Sequence, residues 1–273
     1  MIAIVTDSSA GISREDAKEW GISIVPMTYT ADEKQFFEDY IGKNRNYEDL
    51  IEQDDGELRT SQSSIRAFTH IFRYLLGKGY DILCLSISSR LSGTYNNACV
   101  AARNLDEEKA HIRVVDSRTT SGGLFLLARE AKRKIQDGAT LEEAAAYVHD
   151  IRSQMETHFT VKDMAPLRRS GRLGVVRQSV GTILNIRPLL AIKNGCVVAT
   201  GTVRGNHEKL RALEKLVPAE AKEIIVNHLK NDVEAQKLAA QLKKNHSTVL
   251  IRPIGPVLGI HLGVGSIGVS WHI

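Results

Sequence analysis

Residues 84–98 read Cys-Leu-Ser-Ile-Ser-Ser-Arg-Leu-Ser-Gly-Thr-Tyr-Asn-Asn-Ala, and they join the end of a strand, a polar loop and the start of a helix. Residues 80–85 are apolar, as in a buried strand, and residues 86–90 form the polar loop. From Ser92 onward, alanines at helical spacing predict a helix. Its first turn offers unpaired N–H groups and the positive end of a dipole, and Gly93 allows close approach, so the stretch suits an anionic ligand. Ser92 could equally serve only to cap the helix.

Two other predicted strands end in loops of the same kind. Thr-Asp-Ser-Ser at residues 6–9 follows an apolar run at residues 2–5, and Asp-Ser-Arg-Thr-Thr-Ser-Gly-Gly at residues 116–123 follows the strand pattern of residues 112–115. Helical patterns separate these strands, which predicts a parallel sheet with right-handed crossovers. Ligands bind beyond the carboxyl ends of such strands. The three loops, with Thr-Ser-Gln-Ser-Ser at residues 60–64 beside them, therefore predict one shared ligand site.

The two halves of the chain differ in pattern, and together they predict an α/β protein. The first half adds a strand at residues 22–27, irregular chain over most of residues 30–59, and helices at residues 13–20, 47–53, 65–76, 121–136 and 141–153. In the second half Asn194-Gly195 predicts a hairpin turn and hence antiparallel pairing. Helices are predicted there at residues 175–184, 207–217 and 233–244, and a Gly-rich segment at residues 255–265 precedes a last strand. We place a domain boundary near residue 155.

Composition narrows the class of protein. The 273 residues are 42% hydrophobic and 25% charged, as in an ordinary globular chain long enough for two domains. No apolar run approaches the ~20 residues of a transmembrane helix, and the chain begins as a strand without a basic leader, so we expect a cytoplasmic protein. The cysteines, Cys84, Cys99 and Cys196, are unclustered and set among apolar residues, which indicates reduced thiols and no metal site.

Charge is distributed unevenly along the chain. The net charge of +4 is too small to indicate nucleic acid as a partner. Between Lys162 and Lys215, however, eleven Lys and Arg face three acids, an excess of +8. Such a concentration indicates an anionic ligand, an acidic partner or transient contact with a membrane surface, with a merely solvated basic face as the alternative.

Seven motifs in order resemble the DegV family of bacterial fatty-acid-binding proteins, over essentially the whole chain. They are Thr-Asp-Ser-Ser (6–9), Thr-Ser-Gln-Ser-Ser (60–64), Leu-Ser-Gly-Thr-Tyr (91–95), Asp-Ser-Arg-Thr-Thr-Ser-Gly-Gly (116–123), Arg-Arg-Ser-Gly-Arg (168–172), Ile-Arg-Pro-Leu-Leu (186–190) and Gly-Ile-His-Leu-Gly-Val-Gly (259–265). Each motif is weak alone, but seven in the same order are specific.

The resemblance implies a two-domain DegV-like fold and a protein that catalyses no reaction of its own. Residues 1–155 would form a parallel sheet with flanking helices, and residues 156–273 a mixed or antiparallel α/β domain, with a long-chain fatty acid between them in an apolar tunnel. Such proteins are similar to the carrier subunit of fatty acid kinase. They present the acid to an ATP-dependent kinase, which makes the acyl-phosphate, and the resemblance implies no cofactor.

The resemblance also implies site residues. The hydroxyls of Thr60 and Ser92 would bind the carboxylate, with His261 nearby. Their neighbours Ser61, Gly93 and Thr94 would belong to the same carboxylate site. The basic loop would serve the acyl-phosphate or the kinase through Arg168, Arg169 and Arg172.

This chain departs from the family pattern at two places. The family often has Pro where Ser63 stands. Its closing motif is usually Gly-Thr-His-Thr-Gly-Pro-Gly, so Ile260 and Leu262 replace two hydroxyl-bearing residues here. The polar network around His261 is therefore expected to be thinner.

Two other classes of function stay open from the residues alone. A serine hydrolase could use Ser92 or Ser8 as nucleophile, His261 as base and Asp7 or Asp116 as orienting group, although the chain has no Gly-x-Ser-x-Gly motif. The same loops could also form a phosphate- or nucleotide-binding module, although no Walker sequence is present.

Overall fold

Three β-sheets and the helices between them make up the computed structural model, which describes residues 1–38, 40–42, 46–54, 56–106, 111–173 and 186–273. The strands are β1 (Ile2–Asp7), β2 (Ile22–Val25), β3 (Met27–Ala31), β4 (Lys34–Glu38), β5 (Arg59–Ser61), β6 (Asp81–Ser86), β7 (Ile112–Asp116), β8 (Glu156–Thr160), β9 (Ile186–Lys193), β10 (Cys196–Arg204), β11 (Glu223–His228), β12 (Val249–Pro253) and β13 (Ile267–His272). The α-helices are α1 (Arg14–Trp20), α2 (Tyr47–Gln53), α3 (Ile65–Leu76), α4 (Thr94–Leu105), α5 (Ser121–Gln136), α6 (Leu141–Ile151), α7 (Ala165–Ser170), α8 (Gly205–Leu216), α9 (Asp232–Leu242) and α10 (Pro256–Leu262).

The first sheet has the strand order β2-β1-β6-β7, and its pairs are all parallel, which confirms the prediction. Alternate residues of β6 face opposite layers. Ile82 and Cys84 pack in the core that includes α3 and α4, whereas Leu83 and Leu85 pack in the core that includes α5 and α6. Burial on both faces explains why the strand reads as a continuous apolar run.

The second sheet has the order β10-β9-β8-β13-β11-β12 and is mixed, as predicted, because β11 and β12 are parallel and the other pairs antiparallel. Helices α8 and α9 share a core with one face of this sheet. Helix α5 packs against the other face, so it lies between the two sheets. The approach is close: a Cβ atom at Gly122 would lie 2.7 Å from Ser270 Oγ.

A third sheet, with the order β4-β3-β5, occupies a region for which the sequence predicted mostly irregular chain, so that prediction was wrong. The predicted strand at residues 22–27 is also divided between β2 and β3, with Pro26 between them. The hairpin turns at Asp32 and Glu33, both with positive φ (49° and 59°). Two-residue turns of this kind usually contain Asn or Gly, so Asp-Glu gave no signal.

Two short helices replace predicted loops in the second half. Helix α7 contains Arg168 and Arg169, with a Pro at its start and Gly171 at φ 67° ending it, so only Arg172 of the basic loop lies beyond the helix. Helix α10 falls in the Gly-rich closing segment, for which no helix was predicted. A Cβ at Gly259 would lie 2.8 Å from Ile51 Cδ1, so this glycine permits α10 to pack on α2.

The predicted hairpin at Asn194-Gly195 is confirmed, since both residues have positive φ (49° and 81°) and join the antiparallel strands β9 and β10. The helix predicted at residues 175–184 lies outside the described residues. None of the helices in the described part of the chain combines the length and hydropathy of a transmembrane span.

Candidate functional site

A cavity of about 340 Å³ lies between the closing helix α10, the starts of α4 and α5, and the inner face of the second sheet. Its volume falls in the ~300–1,000 Å³ range of small-molecule sites. Most of its wall is apolar. The apolar side chains come from six or more separate elements and loops: Met27, Ile87, Leu91, Phe159, Leu167, Ile192, Val197, Ile254, Val257, Leu258 and Leu262.

Polar side chains line the same cavity in two groups. One group comes from β5, the segments next to it and α10, and comprises Thr60, Ser61, Gln62, Ser92, Arg172 and His261. The other comes from the start of α5 and the inner face of the second sheet, and comprises Thr120, Ser121, Thr157, Asn227 and Ser270. The wall is therefore amphipathic, with polar atoms at defined positions on an apolar surface.

Thr60 and His261 meet although they are 201 residues apart in sequence. Strand β5 pairs with β3 through Tyr29 and Thr60, and α10 packs beside it, which brings Thr60 Oγ1 to 2.9 Å from His261 Nε2. His261 Nδ1 is buried and has no hydrogen-bond partner among the described residues. The pKa of His261 is lowered to about 4 from its ordinary 6.5. Burial is the larger cause, and the positive charge of Arg172 is the smaller one. The imidazole is therefore neutral near pH 7.

Because the imidazole is neutral, the free energy of unfolding of the ligand-free protein should decrease as the pH falls. The unfolded chain protonates His261 below about pH 6.5, whereas the folded protein resists protonation down to about pH 4. The stability that this group contributes is thus present above pH 6.5 and is lost as the pH falls towards 4. We expect the unfolding free energy to fall more steeply over this window in the wild type than in His261→Asn, measured by urea titration of delipidated protein.

His228 and His272 also have lowered pKa values, but they are common to both proteins and cancel in the comparison. Parallel pH profiles for wild type and His261→Asn would contradict the assignment of a buried neutral imidazole.

Ser92 lines the cavity, but the helix starts later than predicted. Helix α4 begins at Thr94 with Gly93 as its N-cap residue. Ser92 Oγ accepts from the Thr94 N–H at 3.3 Å and lies 2.9 Å from Thr94 Oγ1, which in turn accepts from the Ser63 N–H at 3.3 Å. When the Thr94 hydroxyl donates to Ser92, the Ser92 proton is free for another acceptor. Ser92 thus supports the helix start and also faces the cavity.

Gly93 and Thr94 are placed differently from the expectation. Thr94 is fully buried, and the lining that the structure describes includes neither residue. A Cβ at Gly93 would lie 2.1 Å from Gln62 Oε1, so the glycine makes room for the Gln62 amide instead of a ligand. Their direct contact with a ligand stays a prediction, and in this structure Thr94 is bonded to Ser92 and Gly93 lies against Gln62.

The three arginines of the predicted basic loop differ in their position relative to the cavity. The described lining includes the exposed Arg172, whose guanidinium donates to the Ser170 carbonyl, and it does not include Arg168 or Arg169. Arg169 lies 3.8 Å from a carboxylate oxygen of Asp54. Arg172 is therefore the arginine positioned at the cavity, which its effect on the pKa of His261 also reflects.

Part of the basic excess of residues 162–215 is neutralised by acids from outside that segment. Besides Arg169, Lys209 pairs with Glu234 at 2.6 Å and Lys193 with Glu156 at 2.8 Å. The segment is thus less basic as a surface than its composition indicates.

The strand-end loops converge as predicted. Asp7 Oδ2 accepts from Ser86 Oγ at 3.1 Å and from the Ile87 N–H at 2.7 Å, and the Ser88 N–H donates to the Thr119 carbonyl at 2.9 Å. In the loop at residues 6–9 the Asp7 carboxylate and the Ser8 hydroxyl are used in internal hydrogen bonds. The described lining of the cavity contains none of its residues, so this loop does not join the predicted shared site.

The catalytic arrangement of a serine hydrolase is not assembled. His261 Nε2 contacts Thr60, and Ser8 Oγ donates to Glu38 Oε2 at 2.8 Å. Of the proposed orienting groups, Asp7 is bonded to Ser9, Ser86 and Ile87 and Asp116 to Ser89 and Arg118, so neither orients His261. Among the described residues no hydrogen bond joins His261 to Ser92, Ser8, Asp7 or Asp116, so the structure gives this alternative no support. Within the described residues no cluster of three or more His, Cys, Asp or Glu could hold a metal ion.

Sequence reasoning missed the polar residues that the second sheet contributes. Thr157, Asn227 and Ser270 alternate with residues of the opposite face, and β8, β11 and β13 pair so that all three face α5. The lining also includes His158, whose ring stacks on Trp271 at 5.2 Å on the opposite face, so only its backbone belongs to the cavity side. Polar residues at inward positions of a buried strand were the available signal.

Comparison with known proteins agrees with this geometry. The family model described as "Uncharacterised protein, DegV family" matches residues 1–273. The DegV domain-containing protein of Halalkalibacterium halodurans is 29% identical over 280 residues, which cover 100% of this chain and 98% of the relative.

Solved structures are similar over the whole length. A DegV lipid-binding protein from Thermotoga maritima has a TM-score of 0.89 at 29% identity, covering 99% of this chain and 98% of that one. A DegV family protein from Thermus thermophilus, described as binding fatty acid, has a TM-score of 0.87 at 26% identity, with 99% of each chain covered. With its seven motifs, its fold and a family model matched from end to end, this chain belongs to the DegV family.

Proposed function

We propose that this protein binds one long-chain fatty acid in the cavity, with the carboxylate at the group formed by Thr60, Ser92 and His261. The observation that carries the proposal is the amphipathic wall: a mostly apolar surface that also presents the Thr60 and Ser92 hydroxyls, His261 and the Arg172 guanidinium. The fatty acid binding described for the Thermus thermophilus relative supports it.

The carboxylate end suits an anion without requiring a buried ion pair. In the tautomer that carries its proton on Nε2, His261 donates to Thr60 Oγ1, and the Thr60 hydroxyl proton is then free for a carboxylate oxygen. The Ser92 hydroxyl offers a second donor. Arg172 adds positive charge from an exposed position at the cavity, where its own desolvation is small.

The tail supplies most of the affinity in this proposal. Each buried methylene contributes ~0.8 kcal/mol, so a long chain gains far more from the apolar wall than from its head group. The head-group hydrogen bonds orient the acid, with the carboxylate held next to Arg172 where another protein can reach it.

We further propose that the protein is a carrier and not an enzyme. A partner kinase would transfer the γ-phosphoryl group of ATP to the bound carboxylate and form the acyl-phosphate, with Arg172 gripping the phosphoryl oxygens. Arg168 and Arg169, on α7 beside it, would contact the kinase. Transient contact with a membrane surface would serve to load and unload the acid. Residues 1–155 and 156–273 would act as two domains that enclose it.

The head-group assignment is tested by removing its two hydroxyls. Ser92→Ala should cost ~1–3 kcal/mol of affinity for palmitic or oleic acid, as expected for a lost hydrogen bond to a charged group, and Thr60→Ala should add to the loss. The measurement is calorimetric titration of delipidated protein. The matched control is Ser64→Ala, which removes the N-cap hydroxyl of α3 outside the cavity and should leave affinity unchanged. Wild-type affinity in the Ser92→Ala, Thr60→Ala double variant would show that the two hydroxyls do not bind the carboxylate and serve only the structure.

A further inference from the structure

The second polar group of the cavity, here called the α5 polar cluster, consists of Thr120, Ser121, Thr157, Asn227 and Ser270. An acyl chain made only of methylenes could form no hydrogen bond with this cluster. Thr157 Oγ1 and Ser270 Oγ lie 3.1 Å apart and satisfy each other. The other three residues hold hydrogen-bonding atoms without partners.

Each of these three atoms is placed at the start of α5. Thr120 is 8% exposed, and its hydroxyl has no hydrogen-bond partner among the described residues, although Thr120 is the N-cap residue of the helix. Ser121 begins the helix with φ 52°, a strained value for a residue with a side chain, and its hydroxyl bonds to no described group. The strain and the missing cap bond both occur where the helix meets the cavity.

Asn227 faces the same point from the second sheet. It is 7% exposed, and its Oδ1 accepts no hydrogen bond from the described residues, while its Nδ2 makes a long 3.4 Å bond to the Arg252 carbonyl. A Cβ at Gly122 would lie 2.5 Å from this Oδ1, so the amide oxygen abuts the first turn of α5. The α5 polar cluster therefore combines a buried acceptor with hydroxyls that both donate and accept.

The chemistry of the α5 polar cluster selects the group that it would bind. It contains no charged side chain, whereas the carboxylate end has Arg172, so the two ends are not interchangeable. A carboxylate could not donate to Asn227 Oδ1, and a methylene would leave this oxygen and the hydroxyls of Thr120 and Ser121 unpaired. A hydroxyl can donate to Asn227 Oδ1 while it accepts from Ser121 or Thr120 or from an N–H of the α5 first turn.

We propose that the preferred ligand is a long-chain acid carrying a hydroxyl group along its chain, bound with the hydroxyl at the α5 polar cluster. This inference rests on the proposed fatty acid binding and narrows its ligand class. An unsubstituted acid would still bind. The α5 polar cluster would then retain water, or the polar atoms of the cluster would stay unpaired.

The test compares stearic acid with stearic acids that carry a hydroxyl next to the carboxyl, in the middle of the chain or at its far end. We expect the middle or far isomer to bind about tenfold more tightly than stearic acid, as one well-made hydrogen-bond site allows. Thr120→Val, which keeps the shape and removes the hydroxyl, and Asn227→Ala should bring that ratio close to one. Thr200→Val, a matched change on β10 outside the cavity, should leave the ratio as in wild type.

Each outcome decides the matter. Equal affinity for all four acids in the wild type would overturn the inference and leave fatty acid binding intact, with water as the occupant of the α5 polar cluster. Equal weakening of stearic and hydroxystearic acids by Thr120→Val would also overturn it, because the carboxylate would then bind there. Failure of every acid to bind would overturn the proposed function as well.

Discussion

Leu258→Trp is expected to lower fatty acid affinity about 100-fold. Leu258 lies on α10, is partly exposed, lines the cavity and belongs to none of the buried core clusters of the described residues. An indole placed there would fill space that the acyl chain needs. Displacing roughly four methylenes at ~0.8 kcal/mol each removes about 3 kcal/mol, which corresponds to the predicted loss.

The fold should survive this change, because the added ring enters a cavity instead of a packed core. Leu258→Met, which conserves volume, is the matched control and should bind as the wild type does. The measurement is titration of delipidated protein with palmitic acid, with thermal unfolding as a check on folding. Near-wild-type affinity in a folded Leu258→Trp protein would place the ligand elsewhere.

Arg172→Ala is expected to keep fatty acid binding nearly intact and to lower acyl-phosphate formation by the partner kinase at least ~10-fold, about 1.4 kcal/mol of transition-state stabilisation. Arg172 is exposed at the cavity and close enough to lower the pKa of His261. Hydroxyls at Thr60 and Ser92 already serve the carboxylate. A guanidinium adds most when charge builds up on transferring phosphoryl oxygens, which it can grip with two parallel hydrogen bonds.

Kinase turnover with fully loaded carrier separates this role from simple binding. Arg172→Lys should restore little activity, since an ammonium lacks the forked geometry. Lys193→Ala, which removes a cation of the same basic segment paired with Glu156, is the comparison for a loss of positive charge alone. Equal turnover in wild type and Arg172→Ala, or a loss explained wholly by emptied carrier, would defeat the assignment.

The parallel sheet and its loops could be predicted because their signals are local. Apolar runs such as Ile2–Asp7 and Asp81–Ser86 end in polar loops, and helices of this half of the chain carry clear N-caps at Ser13, Ser64 and Thr140. Local propensity and tertiary packing agree in this part of the chain, so sequence patterns are reliable there.

The closing helix could not be predicted in the same way. Gly259 lowers the helical propensity of α10, and the reason for its presence is the close approach to Ile51, more than 200 residues earlier in the chain. Family resemblance placed His261 near Thr60, whereas periodicity alone gave neither the helix nor the contact.

The residues that the second sheet contributes to the α5 polar cluster were missed because their placement depends on strand register. Asn227 faces α5 only because β11 pairs Asn227 with Gly268, and Ser270 faces Thr157 only through the pairing of β13 with β8. A shift of one residue would turn these side chains to the opposite face. Polar residues in a buried strand were a local signal, but only long-range pairing determines which element they face.

The central claim, that the cavity holds a long-chain fatty acid, is tested most directly by native mass spectrometry of protein purified from a bacterial host. The account predicts a mass that exceeds the chain by one long-chain fatty acid, with the same acid recovered when the protein is denatured and extracted. A native mass equal to that of the chain alone, together with no uptake of added palmitic or oleic acid by folded protein, would contradict it.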